Sequence, residues 1–136
     1  MLFVGPADRE VELRDLVAAR ARWNANGVSD YDVTAQPQCF CRFTGPARIV
    51  VRGGVVVRGT LIATGQPLDS VSLSGYRSVE RLFDVLEDAV RTHAHRIDAS
   101  YNSQYGFPQH FFIDYSQMTA DEEYGYQLDD FTPLGR

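Results

Sequence analysis

Cys39 and Cys41 are the only cysteines of the chain, set two residues apart in Cys39-Phe40-Cys41. On a regular strand, residues two apart lie about 6.6 Å from one another with parallel side chains. A disulfide prefers converging Cβ atoms, so a Cys39–Cys41 bridge requires a kinked backbone and is readily reduced. Its loop is small, so it adds little entropic stability. A strained disulfide, two free thiols and half a metal site are the three chemistries open to the pair. A zinc site needs four ligands, and histidines or carboxylates would have to supply the rest. The spacing is not C-x-x-C, which weighs against thioredoxin-like redox work.

The other chemistry-bearing groups have bland readings beside functional ones. His93 and His95 form an H-x-H after a helical stretch. With Arg91 and Arg96 they suit the negative end of a helix dipole better than a metal, since side chains two apart on a helix do not face one another. Asp114, Asp121, Glu122 and Glu123 surround one loop. Carboxylates of this kind hold calcium in some proteins, but the spacing does not follow the twelve-residue calcium loop. A solvated acidic loop is the expectation, with paired acid–base carboxylates, Asp114 with Asp121 or Glu122, as the enzymatic alternative. Tyr105-Gly106-Phe107-Pro108 places two aromatics in a turn, either as a lid on the core or as a recognition surface. No G-x-S-x-G, phosphate loop, dinucleotide glycine pattern or H-E-x-x-H occurs, which lowers the expectation of an enzyme.

These groups need elements to position them. Asp8 suits a helix N-cap, and the helix is expected to run to about Asn24 with Leu13, Leu16, Val17 and Trp23 on one face and Arg20 within the stripe. Tyr31 to Ala35 alternates as a strand, and Pro37 is expected to break or bulge it. Ala47 to Arg52 and Val55 to Ile62 are strands joined by Gly53-Gly54, a two-residue hairpin turn with positive φ at both positions. Residues 64–75 read as loop. Ser78 caps a helix from Val79 to Thr92 whose Val79, Leu82, Phe83, Leu86, Ala89 and Val90 follow helical spacing. Ile97 to Tyr101, His110 to Tyr115 and Glu122 to Leu128 alternate as strands.

The expected fold is α+β in the order α-β-β-β-α-β-β-β, with two helices packed on antiparallel sheet. The repeated order suggests pseudo-duplication, with PepSY-like and inhibitor-like domains as fold analogies. With 136 residues, 1–136 is expected to form a single domain, with 1–7 flexible and 132–136 a tail.

Charge and hydropathy narrow the partners. The net charge is −5, and all 13 basic residues are arginine, without clustering. Nucleic-acid binding needs clustered cations, so that partner class is excluded. The absence of lysine removes Schiff-base chemistry. No apolar run approaches the roughly 20 residues of a membrane span, and Met1 to Val4 is too short for a signal sequence.

Trp23, Tyr31, Cys39-Phe40-Cys41, Gly53-Gly54-Val55, Ser78-Val79-Glu80-Arg81-Leu82-Phe83, Tyr105-Gly106-Phe107-Pro108 and Ile113-Asp114 together carry a resemblance over roughly Ala18 to Phe131. The chain resembles a bacterial family defined only as a domain of unknown function, six-one-seven-four. That resemblance implies an exported, often lipid-anchored protein, in whose oxidising compartment Cys39 and Cys41 would be paired. It supplies no catalytic residues and no cofactor. The chain departs from it in showing no leader, which keeps a cytoplasmic location as the alternative.

The reading is a non-catalytic binding or scaffold module of the cell envelope. Its partner is a protein or small ligand, and Cys39, Cys41, Tyr105, Phe107, Asp114, Asp121 and Glu122 are the candidate residues. The competing reading is a redox-active or metal-binding protein that uses Cys39 and Cys41.

Overall fold

A computed structural model describes residues 6–39, 45–116 and 123–135, with the backbone alone at 6–9 and 39. Helix α1 spans Pro6–Asn26, followed by strands β1 (Asp30–Cys39), β2 (Ala47–Arg52) and β3 (Val55–Leu61). A four-residue helix α2 (Ser70–Leu73) precedes α3 (Val79–Arg91), and then come β4 (Arg96–Tyr101), β5 (Pro108–Asp114) and β6 (Glu123–Pro133). The class is α+β. All six strands form one antiparallel sheet in the order β3-β2-β1-β6-β5-β4. The helix-then-meander order occurs twice, and the two meanders join through β1 and β6.

Period-two alternation sorts this sheet into two faces. Tyr31, Val33 and Ala35 of β1, Ile49 and Val51 of β2, Phe111 and Ile113 of β5, and Tyr126 and Leu128 of β6 are buried under the helices. The other face is polar, as is usual for an antiparallel sheet with one solvated side. There Arg48 pairs with Asp32 and Thr34, and Arg52 with Asp30.

Helix α3 forms as its periodicity dictates. Ser78 is the N-cap, accepting from the Arg81 N–H at 3.3 Å, and all six residues of the expected apolar face are buried. Its far end closes with a Schellman pattern: His93 N–H donates to Val90 C=O at 3.2 Å and Ala94 N–H to Ala89 C=O at 3.0 Å. His93 occupies the left-handed position at φ 59°.

Helix α1 differs from its expected face. Leu16, Ala19 and Trp23 are buried, whereas Leu13 is 45% and Val17 55% exposed. At 3.6 residues per turn, Leu13 and Val17 lie about 60–100° around the helix from Leu16. The small Ala19 carries the close contact that the bulkier apolar residues suggested for themselves. Arg20 lies at the border of the buried face, bonded to Asp84 at 3.0 Å and Glu87 at 2.8 Å, with its guanidinium 5.5 Å from the Phe83 ring centre.

Three further details depart from expectation. Pro37 neither breaks nor bulges β1. It pairs with Tyr126 of β6, and the pairing with β2 ends at Ala35, so the missing N–H falls where β1 has an open side. The bulge lies instead in β6, where the register shifts opposite Asp32 and Thr34 and Asp130 adopts φ 53°. The extra residue moves the alternation by one, so Phe131 faces the helices and β6 extends to Pro133, beyond the expected end at Leu128. Within 64–75, Asp69 caps α2 by accepting from the Ser72 N–H at 2.8 Å, and that bond holds the Asp69 carboxyl below its ordinary pKa.

Candidate functional site

Tyr105-Gly106-Phe107-Pro108 links β4 to β5 and is clamped onto α1. Asn102 organises the turn: its side-chain oxygen accepts from the N–H groups of Gln104 at 3.0 Å and Tyr105 at 2.8 Å. Asn26 of α1 donates to the Gln104 carbonyl at 3.2 Å. Gly106 has φ +92°, and a Cβ there would lie 2.3 Å from the Ala19 carbonyl oxygen and 2.9 Å from the Trp23 nitrogen. Phe107 is 3% exposed and stacks on Phe131 with ring centres 4.7 Å apart. Tyr105 is half-buried against Phe131 at 4.9 Å. The turn is therefore built as a helix clamp, with only Tyr105 offering surface.

The remaining sequence candidates lie elsewhere. Cys39 ends β1 opposite Tyr124, and Asp114 ends β5 opposite Arg96 and Glu123. Both leave the sheet at the same end, about 20 Å along β5 from Phe107 by strand rise. Asp114 Oδ1 is buried and has no hydrogen-bond partner among the described residues. Cys41, Asp121 and Glu122 lie outside the described residues, and so does the geometry of the cysteine pair. His93 and His95 are exposed. Tyr105 and Phe107 are thus brought together, their ring centres 6.5 Å apart, and Asp114 is not brought to them.

The structure gathers a different set around the start of α3. Glu80 accepts from Trp23 Nε1 at 3.2 Å through one carboxylate oxygen and from the Tyr31 hydroxyl at 3.2 Å through the other. The Tyr31 hydroxyl in turn accepts from the Val79 N–H at 2.8 Å. Burial, then the nearby Glu80 charge, pushes the Tyr31 phenol far above its ordinary pKa. Tyr126 Oη accepts from the Arg77 N–H at 2.9 Å, and Arg77 Nε donates to Tyr124 Oη at 3.2 Å. The Val79 and Arg81 N–H groups in the first turn of α3 are thus satisfied by the Tyr31 and Ser78 hydroxyl oxygens.

Beside this knot lies a cleft of about 430 Å³, bounded by the Gly53-Gly54 turn, α2 and the first turn of α3. Its size is that of a small-molecule site. Val56 and Leu73 supply an apolar wall, Ser70 and Ser74 supply hydroxyls, and Arg77 and Arg81 supply positive charge. Among the described residues, neither arginine has a carboxylate partner, in contrast to Arg20, Arg48, Arg52, Arg91 and Arg96. Apolar surface continues at the rim and beyond it, where Val55 is 61% and Val71 77% exposed. Among the described residues no histidine or cysteine lines the cleft, and the Glu80 carboxylate lies beside Gly54 at its edge, held by Trp23 and Tyr31.

Sequence reasoning missed this site because its parts are far apart in the chain and individually ordinary. The Asp69–Ser72 cap spacing and the Ser78 cap were the available signals, since together they bring two helix starts beside the hairpin. No helix of the described residues is long and apolar enough to cross a membrane.

Searches of curated proteins and of solved structures return no match. Residues 15–133 match the profile of the Family of unknown function (DUF6174), and the chain belongs to that family.

Proposed function

We propose that this chain is a non-catalytic binding module whose cleft between the β2–β3 turn, α2 and α3 takes an anion with an apolar part. The observation that carries this reading is the pairing of an apolar wall with two arginines that have no carboxylate partner among the described residues. Guanidinium groups bind carboxylate and phosphate through paired donors, and the wall gives an aliphatic segment a place out of water.

Calorimetric titration with octanoate, with octylammonium as the opposite-charge control, tests it. Octanoate is expected to bind saturably and octylammonium not to bind. The Arg77→Ala/Arg81→Ala protein is expected to lose at least about 2 kcal/mol of binding, the scale of two charge-assisted hydrogen bonds. Equal binding of both amphiphiles, or binding unchanged in the double variant, contradicts the proposal.

The reading extends to compartment: a bacterial envelope protein with Cys39 and Cys41 paired, supported by the family resemblance. In intact cells carrying the full gene, a membrane-impermeant maleimide is expected to label the chain only after reduction. Labelling confined to lysed cells contradicts it.

A further inference from the structure

We propose that the free edge of β4 is a docking edge for an extended segment of a partner protein, added as a seventh strand and carrying a basic side chain. The two end strands of the sheet are not alike. β3 carries a register shift opposite Val50 and Val51, and residues 66–68 cover part of its outer edge through Leu61 N–H to Gln66 C=O and Leu68 N–H to Gly59 C=O, both 2.9 Å. Bulges and covering loops are the usual protection of an edge strand. β4 has neither along Arg96–Ser100, and its pairing with β5 is regular until the shift at Tyr101.

The direction of the unpaired groups follows from the ladder. Asn102 N–H donates across to the Phe107 carbonyl at 2.9 Å, so Ser100, Asp98 and Arg96 direct their backbone groups toward β5. Ile97 and Ala99 therefore direct theirs outward, where no described residue meets them. The charged side chains of β4 offer little obstruction, since Arg96 and Asp98 neutralise each other at 2.9 Å on the open sheet face.

A cleft of about 190 Å³ lies alongside this edge, between β4 and the two long helices. Leu16, Leu86, Val90 and Ile97 floor it, and Asp15 and Glu12 stand at its rim. In a strand added to β4, alternate side chains point to the helix side and over this cleft. An arginine or lysine matches it, with the aliphatic stem on the apolar floor and the cation at the carboxylates. The Tyr101 phenol reports the same field: burial first, then Asp15 and Glu12, raise its pKa.

The test uses an acetylated octapeptide of alternating threonine and valine with one central arginine, titrated by fluorescence anisotropy. A glutamate version and a version N-methylated at alternate amides are the controls. The arginine peptide is expected to bind below about 1 mM, and each control at least about tenfold more weakly. Ala99→Pro removes one outward N–H where proline is tolerated, and is expected to abolish binding while circular dichroism stays unchanged. Asp15→Arg, on an exposed helix position, is expected to reverse the charge preference. Equal binding of the N-methylated peptide, equal binding of the glutamate peptide, or no binding at all overturns the proposal. A concentration-dependent dimer that Ala99→Pro dissolves puts a second copy on the edge and also overturns it. Arg77→Ala/Arg81→Ala is expected to leave peptide binding unchanged, so this edge and the arginine cleft stand or fall separately.

Discussion

Tyr31 of β1 joins α3 through its hydroxyl and α1 through its ring. It donates to Glu80 and accepts from the Val79 N–H, and its ring packs edge-on against Trp23 with centres 5.4 Å apart. Tyr31→Phe keeps the packing but strands a buried N–H, so urea denaturation is expected to show a loss of about 1–3 kcal/mol. His93 gives the opposite sign. A non-glycine residue in the left-handed region costs about 1–2 kcal/mol, and a Schellman cap favours glycine there. His93→Gly is expected to stabilise the chain by about 0.5–1 kcal/mol in the same measurement, part of the relief being offset by the freer unfolded chain. The first expectation for His93 concerned its charge near the helix end, and its backbone role was not legible, because glycine is the usual signal for that position. Ser78 and the Gly53-Gly54 turn were legible because their residue types leave few alternatives: Ser78 caps α3, and the glycines have φ 57° and 80°.

At the scale of elements, α3 and α1 show where periodicity suffices and where it does not. The six apolar residues of α3 repeat at helical spacing on a chain that buries one face, so pattern and packing agree. α1 carries apolar residues on more than one face, and what chooses among them is a partner distant in sequence. Gly106 approaches the α1 backbone so closely that only the Ala19–Trp23 face fits beneath the β4–β5 turn. Gly106→Ala adds a methyl against backbone atoms and forces a strained φ. It is expected to destabilise the protein by more than about 2 kcal/mol, with amide exchange rising first in 102–107 and the end of α1. Phe131 was hidden for a related reason. The Asp130 bulge displaces it by one place from the two-residue alternation, so the end of β6 does not read as strand.

The whole molecule has one sheet with a buried tyrosine-rich face and an open polar face. Tyr31, Tyr101, Tyr124 and Tyr126 all have pKa values raised above 10.0, chiefly by burial. The unfolded chain releases these protons near pH 10 and the folded chain retains them to higher pH. The tyrosine contribution to stability is therefore expected to be flat below about pH 9.5 and to fall as pH rises through 10 and above, since there the unfolded state binds fewer protons. Denaturation midpoints at several pH values, with tyrosinate absorbance followed in parallel, check both sign and cause.

The proposed function belongs to the same scale, because the arginine cleft draws on a turn, a four-residue helix and the start of a long one. Amide chemical-shift mapping during octanoate titration tests it most directly. Saturable shifts confined to 54–56 and 70–81, lost in Arg77→Ala/Arg81→Ala while the rest of the spectrum is preserved, are the predicted result. Shifts centred elsewhere, or persisting in the double variant, contradict it.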